Sequence, residues 1–299
     1  MEALADRPGN WSRWPGAASA GALNTIGPEQ VVRAAACVRL GRRASLGIPI
    51  RRNMPQPDGH FPALHMMFRD GGDFALVGNE ATAGVESATD FIGLEIHGAG
   101  THVDALSHVW RDGQLFDGVS RAQVRSSGAH RLDIAGARGI VTRGVLLDVE
   151  PYLDAADAPV GRTELERAAA DAGVDVEAGD AVLLRTGWLR QVLDRHRIPA
   201  ELLGAQPGLD LDGARWLAER DVAVVGADNQ AVERRPDCVQ DSGPVPVHQL
   251  LIREYGVHLV EWLNLEELGT EGVHEFMFVA APLPIVGGTG SPVDPVAIW

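Results

Sequence analysis

The chain has 299 residues, enough for one or two domains, and its 45% hydrophobic and 22% charged residues are an ordinary globular balance with material for a sizeable core. A formal net charge of −15 excludes nucleic acid as a partner, since phosphate binding needs clustered Lys and Arg, whereas divalent cations tolerate such a field. The two cysteines, Cys37 and Cys238, exclude a disulfide framework and any Cys-x-x-Cys motif, and are expected as buried thiols in a reducing compartment.

No basic region followed by an apolar run opens the chain, and the longest apolar stretch, 276–286, holds two prolines and is too short for a bilayer. The expected location is the cytoplasm, with no membrane partner. Residues 1–25, rich in Gly, Asn and Trp, predict an extended arm with turns. A short helix is predicted over 28–38, with Val31, Val32, Ala35 and Ala36 on one side. Gly, Pro and Asp breakers over 50–90 predict loops with short strands.

Short apolar runs at 144–148, 181–185, 222–226, 258–261 and 276–280 predict strands, and their lack of alternation predicts cover on both faces. Between them, Thr163-x-x-Glu166 reads as a capping box. Asp210 reads as the cap of a helix carrying Leu211, Ala214, Leu217 and Ala218. A helix over 248–255 is expected to end at Gly256. Strand–helix alternation argues for α/β. No linker or repeat divides the chain, so residues 1–299 are read as one domain with 1–25 as its arm.

The chemistry-bearing residues cluster twice. His97, His102 and His108 fall within one short stretch. On a strand, His102 and Asp104 share a face, and an imidazole converging with a carboxylate suits Zn²⁺, Mn²⁺ or Fe²⁺. Gly98 and Gly100 allow close backbone approach. Far downstream, His248 opens a helix, and Glu261 ends an apolar strand beside Trp262, where a carboxylate is costly unless paired or metal-bound. A buried His–Asp pair or a salt bridge from Glu261 to an Arg accounts for each cluster separately. His274-Glu275 lacks the second His of H-E-x-x-H, and neither G-x-S-x-G nor a Walker A loop occurs.

The stretch His97-Gly-Ala-Gly-Thr-His-Val-Asp-Ala-Leu-Ser-His108 resembles the signature H-x-G-T-H-x-D-x-P-x-H of the cyclase-like metal hydrolases, a family that includes bacterial kynurenine formamidase and isatin hydrolase. Blocks at 10–14, 21–24, 179–188, 226–228, 248–268 and 283–292 extend the similarity. The resemblance implies a swivelling β/β/α fold, an α/β architecture with a central mixed sheet or barrel-like β core and surrounding helices. It also implies a homodimer or homotetramer with one or two Zn or Mn ions per subunit. The family ligands carry over to His102, Asp104, His248 and Glu261, with Asp104 and Glu261 able to bridge two ions. His108 matches the proton-transfer histidine.

There are two departures from the pattern. Leu106 stands at the motif's proline, and the first motif histidine falls at 97, not 98. On a continuous strand that offset turns the ring to the opposite face. A bulge at 98–100 restores it, and on that basis His97 is read as a ligand.

The implied activity is metal-dependent hydrolysis of a C–N bond (amide, formamide or lactam) in a small aromatic substrate, with His108 moving the proton. Trp14 and Trp110 are candidates to stack on the substrate, or are ordinary packing residues. Asp228 either contacts substrate or a ligand histidine, or stabilises a turn. A polyketide-type cyclase or dehydratase using the same site, and a metal-containing binding protein, are the alternatives.

Overall fold

Nine strands of the main sheet, numbered in chain order, are β1 (Arg43–Ser45), β2 (His102–Asp104), β3 (Ile140–Asp148), β4 (Ala181–Arg185), β5 (Val224–Ala227), β6 (His258–Glu261), β7 (Glu275–Ala280), β8 (Gly290–Pro292) and β9 (Val296–Ile298). Their spatial order is β1-β9-β7-β3-β4-β5-β6-β2-β8. Strands β3 to β6 run parallel, and antiparallel strands flank them on both sides. This computed structural model describes residues 9–52, 54, 56, 60–77, 83–98, 100–193, 198–236 and 245–299. Cys238, residues 1–8 of the expected arm and Ala99 of the expected bulge lie outside them.

Side chains of one strand alternate between two cores. Val182 and Leu184 of β4 join Leu165 and Ala168 of helix Arg162–Ala172 and Ala214 and Leu217 of helix Leu211–Ala218. Ala181 and Leu183 join Phe276, Phe278 and Leu268 on the other face. Burial on both faces is why β4, β5 and β6 read as unbroken apolar runs. This is the mixed α/β sheet with covering helices that the resemblance implies.

Local chemistry sets the helix ends. Asp210 accepts from Gly213 N at 2.9 Å, as its position predicts. The expected Thr163–Glu166 box does not form. The helix starts at Arg162, Gly161 N donates to Glu164 Oε2 at 3.0 Å, and Glu166 instead takes bonds from Arg162 and Trp216. Helix Pro28–Ala36 is present but buries Ala34, while Val32 is 71% exposed. The small side chain allows close approach to the sheet, so the valine face turns outward.

The arm is not extended over its second half. Residues Ala18–Thr25 form a 3₁₀ segment, and Asn10 N and Trp11 Nε1 donate to Glu254 O and Arg253 O at 2.9 and 2.8 Å. Over 50–90 the described residues form strand Leu64–Arg69, which pairs with Thr89–Gly93, and helix Gly71–Val77. Among the described residues, no helix is long and apolar enough to cross a membrane.

Candidate metal centre

Strand β2 pairs antiparallel with the carboxyl end of β6, with Glu261 directly opposite His102. Direct partners share a face, as do residues two apart, so the pairing places His102, Asp104 and Glu261 together. His102 Nδ1–H donates to Gly100 O at 2.8 Å. That leaves Nε2 3.5 Å from Asp104 Oδ1 and 3.4 Å from Glu261 Oε2. His248 ends the short helix Pro246–His248, which passes into a π-helical turn, Gln249–Glu254. Such turns gather at functional sites. Its Nε2 is 3.2 Å from Glu261 Oε1 and 3.7 Å from Asp104 Oδ2.

His97 arrives from a turn, not from a strand. The parity argument therefore does not apply: a turn frees the ring from strand alternation. Its Nδ1 is 2.9 Å from Asp104 Oδ1, and its Nε2 is 3.0 Å from Thr289 Oγ1. Gly290, paired with Asp104, makes room for the ring, since a Cβ there would lie 3.0 Å from His97 Cε1 and 2.8 Å from Val103 O. His108 stacks on His97, and its ring groups with Asp104 and His248 within 4.8 Å.

Both Asp104 oxygens, His102 Nε2 and His97 Nδ1 are buried without an aligned hydrogen bond, although His97 and Asp104 approach closely. Imidazole and carboxylate groups thus converge in one buried spot. Burial alone would push Asp104 up, but the His108, His97 and His102 rings hold its carboxyl well below the usual range. For His248, burial opposes protonation, yet Glu233 and Glu261 raise it well above its ordinary value. His97 is also raised, its Asp104 neighbour outweighing burial. Burial brings His108 down to about 3, so its ring is neutral near pH 7. Buried carboxylates of this kind need a counter-charge, and the His/carboxylate donor set fits a divalent cation.

Asp228, just after β5, is fully buried. Its carboxylate accepts from Thr186 N, Thr186 Oγ1 and Gly187 N at 2.9, 2.6 and 2.8 Å, which ties down the turn after β4. Burial pushes it up to about 6. Trp14 packs against the core under the Arg13 guanidinium, and Trp110 is 43% exposed. Neither is among the side chains that meet at Asp104. Trp188 and Trp262, each 1% exposed, pack T-shaped in the core with centroids 5.3 Å apart, together with Ile48. Sequence reading also passes over Glu233, whose carboxylate bonds His248 Nδ1. Its surroundings, Val-Glu-Arg-Arg, read as a solvated charged run and carry no signal of burial.

A mixed sheet with a buried His/carboxylate cluster where its parallel strands end defines an α/β protein with a site able to hold a metal ion. Residues 44–234 match the family described as "Putative cyclase", more than half of the chain, and the chain belongs to that family. It is 34% identical to a protein solved as a novel cyclase, with a TM-score of 0.88 over 98% of this chain and 100% of that one. It is 32% identical over 129 residues to the isatin hydrolase of Roseibium aggregatum, covering 42% of this chain. The match spans about half, 46%, of that relative's length. Isatin hydrolase A from Ralstonia solanacearum shares the fold, with a TM-score of 0.63 and 21% identity over 86% of this chain and 92% of its own.

Proposed function

We propose that the protein is a metal-dependent hydrolase that cleaves a C–N bond in a small aromatic amide, formamide or lactam. The observation that carries this reading is Asp104, with both oxygens bare among three imidazole nitrogens at 2.9, 3.5 and 3.7 Å and a neutral histidine alongside. The isatin hydrolase relative supports the substrate class.

His97, His102, Asp104, His248 and Glu261 would hold the metal, Zn²⁺ or Mn²⁺. Asp104 turns one oxygen to His97 and His102 and the other to His248, while Glu261 faces His102 and His248 with different oxygens. A divalent cation supplies Lewis acidity here, polarising a carbonyl and making water acidic near neutral pH. Neutral His108 takes the water's proton and returns it to the leaving nitrogen, a role worth roughly 10²- to 10⁴-fold in rate. The apolar hairpin bearing exposed Leu64, Phe68 and Ile92 supports assembly as a homodimer or homotetramer.

The test is metal analysis of purified protein joined to a screen of N-formyl aryl amines and isatin-like lactams. One or two equivalents of metal, with amine release or ring opening lost on chelation, is the expected result. Ring closure without nitrogen release would point to the polyketide-type cyclase. Metal with no turnover would mark a binding protein, and a protein without metal would overturn the reading.

A further inference from the structure

The three imidazoles that face Asp104 differ in what holds their far nitrogen. His97 Nε2 meets the Thr289 hydroxyl at 3.0 Å, and His102 Nδ1 donates to the neutral Gly100 carbonyl at 2.8 Å. His248 Nδ1 alone bonds a carboxylate, Glu233 Oε1. Glu233 is 2% exposed, and its oxygens also accept from Val247 N at 3.1 Å and His248 N at 3.4 Å. Among the described residues, no Arg or Lys lies within ion-pair distance of it, and the charged-type side chain it bonds is His248.

The backbone is committed to this placement. Glu233 bridges to Leu209, Arg234 N donates to Leu209 O at 3.1 Å, and Leu209 N donates to Val232 O at 3.0 Å. Val232 just before it has φ +58, a left-handed conformation that a β-branched residue adopts only where its surroundings dictate it. Capping the turn at 246–248 needs an acceptor for two backbone N–H groups. It does not need one that also reaches the ring.

We propose that Glu233 is the positioning residue of the metal centre: through Nδ1 it fixes the tautomer and rotation of His248 and strengthens Nε2 as a donor. The inference rests on the cation-binding reading above. Carboxylates in this position typically contribute 10- to 100-fold to metal affinity.

The test uses the full chain, with Zn²⁺ affinity measured by competition against a chromophoric chelator and Co²⁺ as a spectroscopic probe. Glu233→Ala is expected to weaken Zn²⁺ binding about 10- to 100-fold and to alter the visible Co²⁺ bands. Glu233→Gln keeps an oxygen for Nδ1–H and is expected to recover part of both. Wild-type affinity and spectrum in both variants, with loss only of metal-free thermal stability, would reduce Glu233 to a cap and overturn the proposal alone. A wild type that takes up no cation would overturn the metal reading and this one together. Should neither variant fold, ¹⁵N NMR of the Zn²⁺-loaded wild type decides: protonated Nδ1 with metal-bound Nε2 on His248 is expected, and the reverse tautomer refutes the proposal.

Discussion

The His108 ring lies flat on the His97 ring, with centroids 3.7 Å apart and planes 13° from parallel. The stack fixes the face His108 presents to Asp104 and His248 without tying it into the strand that carries the ligands. Burial keeps the resting ring neutral, and it stands within reach of Asp104 and His248. His108→Ala is expected to lower kcat by roughly 10²- to 10⁴-fold with metal content unchanged. Normal metal content with full turnover would remove its role.

Asp104 is the group on which the other donors converge, so Asp104→Asn is expected to abolish tight metal binding. In the wild type, a metal held at 100 times its Kd stabilises the fold by about 2.7 kcal/mol, so chelation should lower Tm on the order of 5 °C. The variant should show no such response. Equal chelator sensitivity in both proteins would place the metal elsewhere.

What was legible in the sequence depended on how far each signal reached along the chain. Strands β4 and β6 read to the residue because burial on both faces makes each a short apolar run bounded by turns. His102 and Asp104 read as a pair because strand period places them on one face. His97 was harder to read, since its offset counts against it only if the chain is a strand there, and it is a turn. Helix Pro28–Ala36 is legible as a helix, but the side that packs is not, because a pattern of apolar residues does not reveal that small Ala34 makes the closer contact. Glu233 and the Trp188–Trp262 pair were illegible. Their burial depends on segments that meet only in three dimensions, such as 209 with 233 and 188 with 262.

Gly290 is expected to matter through the space it leaves. A Cβ at this position meets Val103 O at 2.8 Å, Ile96 Cγ2 at 2.9 Å and His97 Cε1 at 3.0 Å. The backbone oxygen cannot yield easily, so the ring must. Gly290→Ala should cost about 1–3 kcal/mol of stability and weaken metal retention by displacing His97. The checks are denaturant unfolding and metal titration. Unchanged affinity would show that His97 contributes little to binding.

His258 lies at the start of the strand that ends in Glu261, fully buried, with neither ring nitrogen hydrogen-bonded. Burial lowers its pKa from 6.5 to about 4, and the Asp104 charge opposes this only in part. A group depressed in the folded state stabilises the fold above its unfolded pKa, and that contribution is lost as pH falls. Between pH 6.5 and 4 the unfolded chain binds a proton that the native ring does not. Lowering pH from 7 to 5 should therefore remove ~2 kcal/mol through this residue. His258→Leu fills much of the same volume, leaves no polar atom unsatisfied and cannot titrate. The gap in unfolding free energy between variant and wild type should widen by that amount from pH 7 to pH 5, each measured by urea denaturation. A gap independent of pH would mean that the native ring takes up its proton as readily as the unfolded one.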